Sequence, residues 1–192
     1  MTTPTKDPQI VKLPKVRLSC PNLFKARAME GQQDAKFSCD LILDNKEHAQ
    51  LIEQINALIE RTALDEFKKK VHLKHRCLHD GNEKDDKEGY GDGKHYLVAK
   101  SDRRPVVVDA DLTPLVEADG KPYGGCYVDA TVRLFAWKHP TGGCGVSADL
   151  RAVRFHSDGE SFGGGAPIDA ENEFGDFDQP KGNGGSADPN DY

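Results

Sequence analysis

The sequence has no long hydrophobic run, and this absence argues against a membrane-spanning helix. No window of about 18 residues is both apolar and uncharged, whereas a helix that crosses a bilayer needs about 20 such residues. The opening segment, MTTPTKDPQIVKLPK, contains no apolar core of the kind found in secretory signal peptides. We therefore expect a cytoplasmic protein without a membrane partner.

Cysteines are few and have no regular spacing, which argues against a disulfide scaffold. The five cysteines, Cys20, Cys39, Cys77, Cys126 and Cys144, are an odd number and include no CxxC pair. Three of them fall in strand-like apolar segments. Reduced, partly buried thiols in a reducing compartment are therefore expected.

The sequence also lacks a recognisable catalytic motif. No HExxH or GxSxG is present, and GYGDGK at 89–94 does not have the GxxxxGK[ST] spacing of a phosphate-binding loop. The segment from His72 to His79, HLKHRCLH, offers imidazoles and a thiol that zinc accepts, but its spacing matches no standard zinc motif. We predict no enzymatic activity, no cofactor and no metal, and we keep a metal-dependent enzyme that uses this cluster as an alternative.

Charge is divided unevenly along the chain, and the net value of −6 hides this division. Residues 157–192 contain nine acids and one base, while residues 1–156 contain 25 bases and 23 acids. The C-terminal segment also has eight of the 19 glycines and few apolar residues, so it cannot form a core. The sequence therefore predicts a slightly basic folded domain over 1–156 and an acidic, disordered tail over 157–192.

The body of the chain predicts a mainly β fold with one helix. Strand-like segments are expected at 10–20, 36–43, 95–100, 106–109, 126–137 and 146–156. A helix with one apolar face should begin after a cap at Asp44 or Asn45 and end near Thr62, and loops are expected over 22–35 and 81–94. Since there is no βαβ rhythm or repeat, a small antiparallel barrel or sandwich is favoured.

The segment 126–137, CYVDATVRLFAW, has two distinct faces if it forms a strand. Alternate residues from Cys126 to Ala136 are all apolar and predict a core face. The other face includes three aromatics and one arginine: Tyr127, Arg133, Phe135 and Trp137. Large aromatic side chains are costly to leave in water without a purpose. Either this face packs against the helix or another subunit, or it binds a ligand with flat apolar faces.

Single-stranded nucleic acid is such a ligand, because its bases stack on aromatic rings at about 1–3 kcal/mol per base. Lysine and arginine neutralise its phosphates. Tyr96 and Lys100 share one side of a predicted strand, and the strand-like segment before the helix begins at Lys36. The sequence thus predicts a DNA-binding surface made of Lys36, Tyr96, Lys100, Arg103, Arg104, Tyr127, Arg133, Phe135 and Trp137.

Five segments together resemble a family of phage single-stranded DNA-binding proteins that was formerly classed as a domain of unknown function. They span about residues 15–165 and are VRLSCPNLFKARAMEGQQDAKFSCDLIL, the helix after it, HYLVAKSDRRPVVVD, YGGCYVDATVRLFAW and LRAVRFHSDGESFGG. The resemblance implies an OB fold, a five-stranded barrel with long loops. It also implies sequence-independent binding of single-stranded DNA, as a helix-destabilising protein in phage replication, recombination or repair inside the infected bacterial cell.

The acidic tail suits two further tasks. It can mask the basic groove when DNA is absent, and it can recruit replication or recombination proteins. Its last residue is Tyr192, whereas the resemblance implies a tail that ends in phenylalanine. A homodimer is compatible with the sequence, and a virion structural protein with the aromatic face as subunit interface is the alternative from another functional class.

Overall fold

Eight strands and one α-helix lie in the part of the chain that the structure describes. The computed structural model describes residues 9–28, 31 and 34–163. The elements are β1 (Ile10–Arg27), β2 (Lys36–Asp44), α1 (Ala49–Phe67), β3 (Leu73–Arg76), β4 (Leu78–Asp80), β5 (Lys94–Ser101), β6 (Val106–Val108), β7 (Tyr127–His139) and β8 (Gly143–Ser157). Short 3-10 helices cover Gly81–Lys84 and Glu117–Asp119.

Five of the strands close into a barrel in the order β1-β2-β5-β8-β7. All neighbours in this ring are antiparallel except β5 and β8, which pair in parallel through Ala99–Ala148 and Lys100–Asp149. This closed five-stranded ring is the arrangement of an OB fold. The predicted mainly β fold with an OB-like barrel and one helix is confirmed, with β3, β4 and β6 as additional short strands on the ring.

The interior of the barrel is filled by the alternating apolar residues of its strands. The largest buried side chains include Leu13, Leu18, Leu41, Leu97, Leu134 and Leu150. α1 contributes Ile52, Ile55 and Ile59 to this same core, so the helix packs on the inner side of the sheet. The alternative in which the helix covers the outer face of β7 is therefore wrong. No helix in the described part of the chain is long and apolar enough to cross a membrane.

α1 differs from its prediction at both ends. It ends at Phe67 rather than near Thr62, and Lys68 (φ 56°) closes it with a left-handed residue. The residue before its first turn is His48, which makes no capping hydrogen bond through its side chain. The Asp44 carboxylate instead accepts two backbone N–H groups, at 2.8 and 3.2 Å, in the turn ahead of the helix.

β1 is longer than predicted because two bulges bend it. The expected loop over 22–35 begins only after Arg27. Lys15 and Cys20 both have a φ of 47°, and the pairing register shifts at each of them. Such bulges bend a strand without ending it. They let β1 pass from β7 to β2 as one continuous strand.

The structure describes only the first residues of the predicted tail. Beyond β8, the Phe162 N–H donates to the Gly124 carbonyl at 2.9 Å. The Phe162 ring lies 4.4 Å from the Arg17 guanidinium carbon. The segment up to Gly163 therefore packs on the barrel, while 164–192 lies outside the described residues and its predicted disorder stays a prediction.

Candidate nucleic-acid interface

The predicted aromatic residues of β7 lie at two separate ends of the strand. Tyr127 begins β7, and Trp137 comes ten residues later. At about 3.3 Å per residue these two positions are about 33 Å apart along the strand. The predicted binding residues therefore fall into separate groups around the barrel.

The first group lies where the β7–β8 hairpin leaves the barrel, and we call it the hairpin patch: Lys100, Arg133, Phe135 and Trp137. Arg133 pairs across the sheet with Asp149, which pairs in turn with Lys100. One carboxylate is thus flanked by two cations. The Phe135 side chain is 43% exposed, although a phenylalanine on a folded surface usually finds cover. The structure therefore brings together four of the predicted residues, with an aromatic ring open to solvent.

Trp137 in this patch is held in a defined orientation. Its indole stacks on the His75 ring with 5.4 Å between the centroids. Its Nε1–H donates to the Ser147 hydroxyl at 2.9 Å. A Cβ on Gly145 would come within 2.5 Å of the indole, so only glycine lets the ring lie this close to β8. A ring fixed in this way loses little entropy when a ligand stacks on it.

Tyr127 belongs to a second group, the Tyr127 patch: Lys15, Arg17, Tyr127 and Phe162. The Arg17 guanidinium lies 5.7 Å from the Tyr127 ring, and the Lys15 ammonium lies 5.8 Å from it. Arg17 also donates to the carbonyls of Gly125 and Glu160, at 3.0 and 2.9 Å. The start of the tail thus partly covers this patch, a contact that depends on tertiary packing and that the sequence pattern does not indicate.

Lys36, Arg103 and Arg104 form a third group with Phe24, the rim patch, at the barrel end where β2 begins. The Lys36 ammonium lies 3.0 Å from the Asp102 carboxylate. The Arg104 guanidinium lies 5.5 Å from the Phe24 ring. Phe24 was missed because 22–35 was expected to be a loop. The rim patch adjoins the hairpin patch, since the residue two positions after Lys36 pairs with Lys100.

Tyr96 is the predicted site residue whose surroundings differ most from expectation. It points away from the barrel core but is only 3% exposed. His79 stacks on its ring at 4.9 Å, and the Lys84 ammonium lies 4.4 Å from the ring centroid. Burial, followed by the nearby Glu83 carboxylate, raises the pKa of Tyr96 to about 12. The expectation that this ring is open to a ligand is therefore wrong for the described conformation.

The cover over Tyr96 is the segment 81–93, which was expected to be an exposed loop. Its anchor is Asp40 on the outer side of β2, only 7% exposed. The Asp40 carboxylate accepts hydrogen bonds from the Lys84 ammonium at 2.5 Å and the Tyr90 hydroxyl at 2.6 Å. Burial and the hydrogen bond to this carboxylate raise the pKa of Tyr90 far above its usual value, so the hydroxyl keeps its proton and donates.

The histidine cluster does not form a metal centre in the described structure. His75 stacks on Trp137, His79 stacks on Tyr96, and Cys77 is buried. Within residues 9–28, 31 and 34–163, no group of three or more His, Cys, Asp or Glu is arranged to hold a metal ion. Burial raises the pKa of Cys77 to about 12, so this thiol is not a ready thiolate ligand.

The chain matches a known protein family over most of its length. The family model described as "Enterobacter phage Enc34, ssDNA-binding protein" matches residues 9–183. The chain is 38% identical over 177 residues to "Putative protein p50" of Acyrthosiphon pisum secondary endosymbiont phage 1. That alignment covers 87% of this chain and 93% of the relative.

Solved structures with a similar fold include two phage proteins. One is the single-stranded DNA-binding protein from bacteriophage Enc34 in complex with ssDNA, with a TM-score of 0.73 and 25% identity over 82% of this chain and 91% of that one. The other is gp2.5, a single-stranded DNA-binding protein encoded by bacteriophage T7, with a TM-score of 0.56. It is 18% identical, over 78% of this chain and 92% of that one, so this likeness concerns the fold alone.

Proposed function

The chain belongs to the Enterobacter phage Enc34 ssDNA-binding protein family, and from this premise we propose that it binds single-stranded DNA without sequence specificity. It acts as a helix-destabilising protein in phage DNA replication, recombination or repair inside the infected bacterial cell. The family is one of binding proteins, and no enzymatic step or cofactor is part of the proposal.

The main structural support for this proposal is the hairpin patch, where partly exposed aromatic rings lie beside cations. Phe135 is 43% exposed beside a partly exposed Trp137. Aromatic rings of this kind stack on bases regardless of sequence, at about 1–3 kcal/mol per base. Arg133 and Lys100 lie on the same surface and supply charge for phosphates. A surface with both groups suits an unpaired strand, because the bases of a duplex are already stacked on each other.

The bound single-stranded DNA would continue from the hairpin patch past Lys100 to the rim patch. Lys36, Arg103 and Arg104 then contact phosphates, and this neutralisation releases counterions from the DNA. Tyr127 takes part only if the segment around Phe162 moves from its position on Arg17. We leave Tyr96 out of the contact surface, because a base could reach it only after residues 81–93 leave β2.

The proposed mechanism follows from mass action. A protein that binds the single strand and not the duplex shifts the equilibrium between them toward the separated strands. It also removes hairpins within a strand, because the bases that pair in a hairpin are held apart on the protein. No energy source is needed, since each bound molecule stabilises the opened state by its own binding free energy.

The acidic tail is proposed to regulate this binding. Nine acids against one base in residues 157–192 compete with phosphates for the cations of the barrel. The same tail recruits replication or recombination proteins, and the protein works as a monomer or a homodimer. Deleting 164–192, which removes seven of these nine acids and the one base, should tighten binding to an oligo-dT at low salt, and equal or weaker binding in that titration would reject self-masking.

The test of the proposed function is fluorescence anisotropy with a labelled oligo-dT and with a labelled duplex, each at two salt concentrations. We expect tight single-strand binding that weakens with salt, and weak duplex binding. Trp137→Ala should lower the single-strand affinity by about 1–3 kcal/mol. Leu64→Ala is the matched control, because Leu64 is an exposed apolar residue on α1, 49% exposed. Equal binding of both DNAs, unchanged in Trp137→Ala, would contradict the proposal.

A further inference from the structure

A groove of about 480 Å³ lies on the outer face of β7, between Tyr127 and Arg133. The pairing register runs from Lys12 to Thr131, from Thr131 to Ala152 and from Ala152 to Val106. Thr131 and Ala152 have short side chains and form the floor. The groove therefore exists because small residues on two central strands lie between larger ones on their neighbours.

One wall of the groove exposes more apolar surface than folding alone explains. Val106 is 62% exposed and Leu112 is 64% exposed, and Val108 lines the same wall. Exposed aliphatic groups that border a cavity are typical of binding sites. Pro14 lines the groove as well, from the β1 side.

Leu112 is also held in a strained backbone conformation. Its φ of 71° lies in the left-handed region, which branched side chains rarely adopt. The turn that imposes this is well defined: the Leu112 N–H donates to the Asp109 carbonyl at 3.0 Å, and the Asp111 carboxylate accepts the Thr113 N–H at 3.0 Å. Strain that presents an apolar side chain to solvent at the edge of a cavity points to a functional role.

The groove is bordered by cations at its polar edges. Lys12 is exposed, and Arg154 binds the Asp129 carboxylate through two nitrogens at 2.9 and 2.6 Å. Burial raises the pKa of Asp129, but hydrogen bonds from the Lys15 amide and Arg154 outweigh it and leave the pKa below its usual value. Asp129 is therefore ionised at neutral pH, and its charge is compensated by Arg154. The groove thus offers hydrogen-bond acceptors inside and positively charged side chains at its edges.

We propose that this groove binds one nucleobase of a bound single strand, with Lys12 and Arg154 contacting the flanking phosphates. The inference rests on the proposed function, because it assigns a further contact with the same bound DNA to the same β-strand, β7. A base has two apolar faces and a polar edge. The aliphatic walls fit the faces, and the Thr131 hydroxyl and Asp129 carboxylate fit the edge.

The position of the groove favours DNA over a protein segment as its occupant. Thr131 is four residues from Phe135 on the same face of β7, which is about 13 Å along the strand. A few nucleotides of one extended DNA strand can span that distance. The groove also follows the surface that exposes Phe135 and Arg133, so a single strand can contact both without leaving the barrel.

The test fills the groove without changing any charge. In the full-length chain, Ala152→Leu puts a branched side chain on the floor, and Ala152→Ser is the matched control that keeps the space open. We expect Ala152→Leu to weaken oligo-dT binding by about 5-fold or more, as loss of one base contact requires, and Ala152→Ser to bind like the unaltered protein. Thermal unfolding of both variants checks that they are folded.

A second measurement covers the case in which Ala152→Leu does not fold. Methyl NMR signals of Val106 and Leu112 in the unaltered protein should shift and saturate with oligo-dT. Unshifted methyl signals during tight oligo-dT binding would overturn the groove assignment and leave the proposed function standing. Failure of the unaltered protein to bind any oligo-dT would overturn both. Methyl signals that shift on removal of 164–192, and not with DNA, would show that the groove holds the chain's own tail.

Discussion

The outer faces of β5 and β7 have the same sequence pattern but differ in solvent exposure. Both strands alternate core residues with an outer aromatic ring and a cation: Tyr96 with Lys100, and Phe135 with Arg133. Yet Tyr96 is 3% exposed and Phe135 is 43% exposed. The strands themselves are alike, so the difference comes from what packs on them.

The deciding group is Asp40 on the neighbouring strand β2. Its carboxylate on the outer surface binds Lys84 and Tyr90, and this holds residues 81–93 over the β5 side. Among the described residues that line β7, no such anchored loop covers Phe135. An outer aromatic is therefore a binding signal only where no loop is anchored over it, as Asp40 anchors residues 81–93 over Tyr96. Five changes test this difference, in order of decreasing expected effect.

Tyr96→Ala should destabilise the protein strongly, because it empties space beneath a docked loop. Truncation of a buried aromatic residue costs about 3–5 kcal/mol of unfolding free energy. Phe135→Ala should change the same quantity by no more than about 0.5 kcal/mol, as is usual for surface positions. Urea denaturation of the two variants measures both values. Similar losses in the two variants would mean that the faces are not different in the way described.

Asp40→Asn should release the loop without emptying the core. A hydrogen bond to a charged partner contributes about 1.5–3 kcal/mol to stability. The neutral amide introduced by Asp40→Asn retains only part of this stabilisation. Trypsin should then cut after Lys84 and Lys87 faster than in the unaltered chain. Asp86→Asn is the control, since Asp86 is exposed in the same segment. If both variants are cut at the rate of the unaltered protein, Asp40 is not the anchor.

Phe135→Ala should weaken oligo-dT binding by about 1–3 kcal/mol, the contribution of one stacked base. Tyr96→Phe removes only a hydroxyl beneath the loop and should leave DNA affinity unchanged. Anisotropy titrations of both variants against one labelled oligonucleotide provide the comparison. A larger loss in Tyr96→Phe than in Phe135→Ala would reverse the roles assigned to the two faces.

Arg133→Ala should change the salt dependence of DNA binding more clearly than the affinity at one salt concentration. Each phosphate contact to a single strand contributes about 0.7 to the slope of log K against log salt. Removing one contact should lower the slope by about that amount, while Lys69→Ala, an exposed lysine after α1, should not. Identical slopes for Arg133→Ala and the unaltered protein would exclude Arg133 from the contact surface.

Acid pH should destabilise the β5 side slightly through Asp44, which binds Lys94. The Lys94 ammonium and two backbone N–H groups hold the pKa of Asp44 far below its usual value. Because the folded pKa is lowered, this stabilisation is present above about pH 4, the usual aspartate pKa, and is lost as the pH falls below it. Asp44→Asn should flatten the dependence of unfolding free energy on pH in this acid range. An unchanged profile would show that the ion pair is screened.

The barrel and one part of the site could be predicted from the sequence because they depend on local alternation. Every second residue of 126–137 is buried or nearly so, and Phe135 is exposed, as the pattern indicates. The pattern could not reveal that Tyr96 is covered, because that depends on Asp40 meeting Lys84 and Tyr90 across 44 and 50 residues of chain. Contacts between such distant segments leave no periodic signal.

Two further features escaped sequence reasoning for the same physical reason. The bulges at Lys15 and Cys20 depend on left-handed φ values at residues that are not glycine, so they carry no sequence signal. The sequence pattern therefore predicts a short β1 and places Phe24 in a loop, whereas β1 extends to Arg27. His75 stacks on Trp137, but the sequence suggests for it only a place in the HLKHRCLH cluster, because stacking partners from different strands are known only once the strands are placed.

Trp137 allows the most direct test of the claim that the outer face of β7 holds single-stranded DNA. It is the only tryptophan in the chain, so its fluorescence reports on the hairpin patch alone. We predict that oligo-dT quenches this emission to saturation, with the same midpoint as anisotropy of the labelled DNA. Emission that stays constant while the anisotropy shows complete binding would contradict the account.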